Sequence, residues 1–270
     1  MQKTIPIRIV QGCIIENCPA GDSSYIGLEL NIYGKKLNFK IIACGNARLA
    51  DIVPAAAAIC DKIIDITIEY TRSKNANVLC RKGCSACCDY FVPLSPPEAL
   101  YFRQEIFNKP LFQHNLVMRK YLHAANWLMK HSPPKQVLDS FSKISAGSPE
   151  MKALADWYAG LKITCPFLRD GLCTIYKQRP FVCREHFVSG PAGGCHGKSR
   201  KMQIIDMPVQ MGNLLCRLSR ELCGVNEAVI LPFALAWCDI NNRLCERTWP
   251  AEAMVKLLVK IIKEIFPFSL

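Results

Sequence analysis

Apolar and polar positions alternate along three stretches near the start of the chain, residues 4–11, 25–33 and 36–43. A period of two sends successive side chains to opposite faces of a strand, so each stretch is predicted to be a half-buried strand. Gly34-Lys35 separates the second from the third. Glycine supplies the positive φ of a tight turn, which predicts a hairpin. From about residue 51 the spacing lengthens to three and four, predicting a helix over 51–70 with Pro54 in its first turn. The polar run 73–77 reads as a connector.

The helical spacing returns over 95–160. Ser95-Pro-Pro-Glu98 is a strong helix start, with a capping serine, proline in the first turn and glutamate at the capping-box position. Helices are expected at 95–107, 110–131, 135–144 and 149–161, interrupted at Pro110 and Pro133-Pro134. Asp170-Gly171 lies between apolar flanks and predicts a turn that folds Cys173 back towards Cys165. Three more helices are expected at 207–222, 229–240 and 251–265. There is no internal repeat. Strands early and helices later give an α+β fold, a mostly helical cysteine-cluster domain preceded by a small hairpin-and-helix prelude. The expected units are 1–77, the α/β prelude; 78–200, the cysteine-cluster domain; and 201–270, a helical segment packed on it.

Composition changes this picture through sulfur. The chain has 270 residues, half of them hydrophobic, and 16 cysteines. Half of those cysteines fall in two packets. The first is Cys80-Arg-Lys-Gly-Cys84-Ser-Ala-Cys87-Cys88; the second comprises Cys165, Cys173, Cys183 and Cys195. Closely spaced thiols in turns point several sulfurs at one soft metal ion, so these eight are the candidate metal ligands. Cys80, Cys84 and Cys87 share one side in turn or helical geometry, whereas adjacent Cys87 and Cys88 point apart. Gly83 allows close backbone approach before Cys84. Cys13, Cys18, Cys44 and Cys60 read as core or near-surface thiols. Cys216 and Cys223, like Cys238 and Cys245, are seven apart, a spacing that fits apolar packing on a helix or a second site.

Tyr176, Arg179 and Arg184 interleave with the second packet. Guanidinium groups balance thiolate charge and donate hydrogen bonds to sulfur, which makes these three candidates for supporting a bound cofactor. His186 and His196 lie beside ligand candidates, but with eight thiols available they are expected outside the ligand set. The formal net charge is +12. Its basic residues are scattered and thiolates offset part of it, so a nucleic-acid partner is not expected. The N-terminus lacks a secretory h-region, and no apolar run reaches the roughly 20 residues that span a bilayer. Many cysteines without a secretory signal point to a cytoplasmic protein that uses them for metal or redox chemistry. There is no P-loop, no G-x-S-x-G and no dinucleotide-binding glycine motif.

Cys-x3-Cys-x2-Cys-Cys, then Cys165-Pro-Phe-Leu, Cys173-Thr-Ile-Tyr, Arg179-Pro and Cys183-Arg, closely resembles the YkgJ-like cysteine-cluster family, described as a zinc- or iron-chelating domain. The resemblance runs over about 78–197 and takes in Val92-Pro-Leu-Ser-Pro-Pro-Glu-Ala99. It implies that Cys80, Cys84, Cys87, Cys88, Cys165, Cys173, Cys183 and Cys195 are the family's cysteines. A related branch, flagellin lysine N-methylase, implies an iron–sulfur cluster used in lysine methylation, although no flagellin-binding region is evident. Iron–sulfur clusters and zinc both take four thiolates. The uneven spacing favours an iron–sulfur cluster, with 4Fe-4S the expected type, over two zinc knuckles. Three functions follow: cluster-dependent redox chemistry, a zinc-stabilised module that binds a protein partner, and an S-adenosylmethionine-dependent protein methyltransferase. Cys80-x3-Cys84-x2-Cys87 is also the radical S-adenosylmethionine spacing, but Ala86 replaces the usual aromatic residue and helices follow, which argues against that class.

Overall fold

The computed structural model describes residues 6–10, 23–131, 148–191 and 202–266. Strand β1 (Ile7–Val10) is followed by β2 (Ser23–Ile32), β3 (Lys35–Cys44) and β4 (Asn46–Arg48), then helix α1 (Val53–Ser73). Next come β5 (Pro93–Leu94), α2 (Pro96–Phe107), α3 (Leu111–Lys130) and α4 (Pro149–Leu161). The cysteine-rich stretch holds β6 (Leu168–Arg169), β7 (Leu172–Cys173), α5 (Phe181–Glu185) and β8 (Val188–Ser189). The chain continues through β9 (Gln203–Ile204), α6 (Met211–Cys223), β10 (Val229–Ile230) and α7 (Ala234–Ile240). It closes with α8 (Asn242–Glu246), β11 (Thr248–Pro250) and α9 (Ala251–Ile265). The fold is α+β and mostly helical.

The predicted hairpin is present, antiparallel and in register from Ser23↔Cys44 to Ile32↔Lys35, with β1 on the outer edge of β3. Leu28, Leu30 and Ile32 are buried while Tyr25, Glu29 and Asn31 are exposed, as the alternation requires. Its turn is one residue earlier than expected, at Tyr33 (φ 50) and Gly34 (φ 83). Two successive left-handed residues match the twist of the flanking strands better than an ordinary turn does.

The sheet is covered by α1 and by α9, whose Met254, Val255, Leu258, Ile261 and Ile262 are buried. β11 pairs with β4, so the last helix is tied to the chain just after the hairpin. Helix α2 occupies the middle, packed on residues 49–52, α6 and α7. One apolar core draws on all of these elements, from Ile7 to Ile262. A smaller one joins α3 and α4 through Leu128, Leu154 and Tyr158.

Most predicted helices are found within a few residues of their expected ends, and 149–161 matches at both ends. Two differ for reasons of tertiary structure. The helix expected over 207–222 begins at Met211, beyond Pro208, where its first amide donates to Glu185 Oε1 at 2.7 Å. The helix expected over 229–240 begins at Ala234, because Val229–Ile230 pairs with Pro93–Leu94 as a strand and Pro232 follows. The helix expected over 135–144 lies outside the described residues.

Candidate metal centre

The first cysteine packet is a succession of turns without regular secondary structure. Cys84 N donates to Arg81 O, Cys88 N to Ser85 O and Tyr90 N to Cys87 O, each at 3.0–3.1 Å. Gly83 stands at φ +87, and a Cβ there would meet Leu172 Cδ2 at 3.6 Å, an ordinary contact. The glycine is therefore required by backbone conformation and not by crowding, which corrects the expectation of close approach. Gly83→Ala is expected to cost about 1–2 kcal/mol, the usual penalty for a side chain in the left-handed region. Urea unfolding would show it as a lower midpoint at unchanged slope; a midpoint equal to the parent's would refute it.

Three sets of contacts dock the second packet on the first. Cys165 N donates to Cys88 O at 2.6 Å. The 168–173 hairpin turns at Asp170 (φ 51) and Gly171 (φ 74), as predicted, and brings Leu172 against Gly83. Leu79 N donates to Val188 O at 3.0 Å and Gly190 N to Asn77 O at 3.1 Å, pairing the chain before Cys80 with the chain that leads towards Cys195.

These contacts bring five thiols within electrostatic reach of Cys88 or Cys183. Cys88 interacts electrostatically with Cys165, Cys173 and Cys183. Cys183 in turn interacts with Cys165, Cys87 and Cys173. Burial raises Cys165 to about 11 and pushes Cys173 and Cys183 up. Cys87 shares a hydrogen bond with Cys88, which raises the Cys87 thiol and lowers that of Cys88, so Cys88 loses its proton first. The Cys80 sulfur accepts from Val188 N at 3.4 Å and donates to His186 O at 3.9 Å. Cys84 is exposed. Cys195 and His196 lie outside the described residues, as do Cys13 and Cys18.

Among the described residues no three His, Cys, Asp or Glu side chains already stand in metal-holding geometry. The thiols are gathered without being locked together. Their chemistry nevertheless fits a soft thiophilic metal, because crowded and buried sulfurs are stabilised as thiolates only by a nearby positive charge. Arg179 supplies one: it lowers Cys173 and Cys183. Its Nε is buried with no hydrogen-bond partner among the described residues, a donor that a thiolate would satisfy. Arg179 also stacks over the Tyr176 ring at 4.1 Å, and Lys82 of the first packet reaches the same ring at 6.0 Å.

Arg184 is directed elsewhere. Its guanidinium bonds Asp61 Oδ1 at 2.9 Å, Arg179 O at 2.9 Å and the carbonyl of Lys177. It ties the 177–184 loop to α1 and so places Arg179. His186 packs edge-on to Tyr90, and burial lowers its pKa.

Glu98 has a role that local pattern did not reveal. Its Oε2 accepts from Ser95 N at 2.9 Å and Ser95 Oγ at 2.7 Å, completing the expected capping box. Its Oε1 accepts from Phe181 N at 2.8 Å, the first amide of α5, which carries Cys183. Burial pushes this carboxyl up, while the three donors and Arg184 pull it back. One side chain thus starts two helices that lie far apart in sequence. Cys60 likewise donates to Glu185 Oε1 at 3.4 Å, which joins α1 to the end of α5.

Four cysteines of the C-terminal helices behave as packed thiols. Cys238 donates to Ala99 O at 3.4 Å, Cys223 to Ser219 O at 3.0 Å, Cys216 to Glu227 O and Cys245 to Asn241 O.

Thiols drawn from both packets supply the donor chemistry of a metal-chelating site. Residues 79–208 match the family model CxxCxxCC, described as "Putative zinc- or iron-chelating domain". This segment, just under half of the chain, is similar to that family. Searches of curated proteins and of solved structures found no match. Among the described residues no helix is long and apolar enough to cross a membrane.

Proposed function

We propose that this protein holds an iron–sulfur cluster through thiols of both packets and uses it for redox or cluster-dependent chemistry. The observation that carries this reading is the approach of Cys87, Cys88, Cys165, Cys173 and Cys183 from both packets, in a spacing unlike a pair of zinc knuckles. A bound cluster supplies electron transfer or an iron site that activates a substrate. The protein's part is to gather the sulfurs, place the Arg179 charge beside them and shield them with the 168–173 hairpin. Cys80, Cys84 and Cys195 complete the proposed ligand set of eight, available to a second cluster or ion. A structural zinc is the competing reading, favoured by the lack of regular secondary structure in 80–92, which a metal would staple. Lysine methylation with S-adenosylmethionine extends the first reading.

Metal and acid-labile sulfide content, measured on protein purified without oxygen, decides between the two. Iron with sulfide and a brown colour supports the cluster; colourless protein with zinc and no sulfide overturns it. Metal affinity is also expected to rise with pH. Thiols raised by burial are protonated at neutral pH, so each must lose a proton to bind, and affinity climbs about tenfold per pH unit for each such proton. Chelator competition at pH 6, 7 and 8 (a span of about two units) tests this; an affinity independent of pH would rule out thiolate ligation.

A further inference from the structure

An open groove of about 570 Å³ runs between α3 and the 161–168 connector that brings Cys165 to the cluster. Apart from that thiol, its ionisable lining is Arg119, Lys120, His123 and Lys162, with no carboxylate. The cavity of about 340 Å³ beside α5 has the opposite lining: Glu98, Glu185 and Asp206, without lysine or arginine. Two other clefts mix both signs, Asp61 and Glu98 with Arg179 and Arg184 in one and Glu246 with Arg48 and Arg103 in the other, so the carboxylate-free lining is particular to this groove. Among the described residues no ion pair occupies Arg119 or Lys162, and Lys120 donates only to Leu168 O at 3.3 Å.

Two further features set the groove apart from a solvated helix face. Lys162 ends α4 in the left-handed conformation, φ 51 and ψ 41, where glycine or asparagine would sit with less strain. That backbone puts a cation at the groove. Trp127 lines the same groove, steadied by a stack on His131 with 3.5 Å between ring centres. Guanidinium and ammonium groups recognise phosphate, and an indole offers a face to a planar base. The volume lies within the roughly 300–1,000 Å³ of small-ligand sites.

We propose that this groove binds a phosphate-bearing planar anion of the nucleoside diphosphate class, beside Cys165 and the thiol cluster. Nothing in the groove depends on which metal the thiols hold.

The test is titration of the metal-loaded full chain with ADP, read by calorimetry and tryptophan fluorescence, with pyrophosphate and adenosine as half-ligands. ADP is expected to saturate with a Kd below about 1 mM and to bind more tightly than either half. Arg119→Ala and Lys162→Gly should each weaken it about tenfold, the loss of one charged contact. Glycine relaxes the strained position, so the second variant keeps its fold. Trp127→Phe should lower affinity for ADP but not for pyrophosphate. Metal content, measured on the same samples, should match the parent in all three. The proposal is overturned if ADP fails to saturate by about 5 mM, or if both charge variants bind like the parent. Equal affinity for pyrophosphate and ADP, or a single-stranded oligonucleotide binding more than tenfold tighter than ADP, would overturn it too.

Discussion

Replacing Cys183 by serine is expected to strip most of the bound metal from this protein. Cys183 is the thiol in electrostatic contact with Cys87, Cys165 and Cys173, at the start of the short helix α5. A hydroxyl is a poor ligand for a soft metal and does not ionise at neutral pH, so the site would lose a donor and a negative charge at once. Thiolate metal sites contribute about 10–16 kcal/mol of binding free energy in small domains, and that energy is coupled to the order of the segments they join. Residues 80–91 contribute nothing to the main core, whereas Phe167, Ile175 and Phe181 of the second packet lie in it, so the loss should be local to the first packet. Residues 80–92 should open first, and trypsin should cut at Arg81 and Lys82 well before the core unfolds. Cys238→Ala is the control: its thiol bonds Ala99 O inside the core, so it should keep its metal and lose only stability. Cys60→Ala should keep its metal as well, since its partner is Glu185. A Cys183→Ser protein with the parent's metal-to-protein ratio would remove Cys183 from the ligand set.

Glu98→Ala should be the most destabilising single change outside the thiols. It leaves Ser95 N and Phe181 N buried without an acceptor, and each orphaned donor costs about 1–3 kcal/mol. A total of about 3 kcal/mol lowers the melting temperature by roughly 5–10 °C in a chain of this size. Glu98→Gln keeps one acceptor oxygen and should fall between the two. Because Phe181 begins α5, metal content should fall with stability in the alanine variant. A melting temperature within about 1 °C of the parent would show that water replaces the carboxylate at no cost.

Much of this architecture was legible in the chain. The hairpin, the helices at 96–107 and 149–161, and the turn at Asp170-Gly171 follow from periods, caps and left-handed residues. All are local: each depends on residues a few positions apart, which is what a sequence pattern records. The cysteine spacing was equally local, and it carried the similarity to a zinc- or iron-chelating domain.

Which thiols meet could not be read that way. Cys88 reaches Cys165 through a backbone bond between distant turns, and Leu172 finds Gly83 only once the hairpin has docked. The same holds for Arg184, which the spacing placed near the metal and the fold turned towards Asp61. Residues 229–230 became a strand because Pro93–Leu94 lay open beside them. The sequence by itself determined most of the elements and the cysteine pattern that matches a zinc- or iron-chelating domain, since these rest on local geometry and side-chain chemistry. Tertiary structure alone decided the docking of the second cysteine packet on the first and the double use of Glu98. A partner remote in the chain leaves no periodic trace, and only burial makes an unpaired amide costly enough to select one.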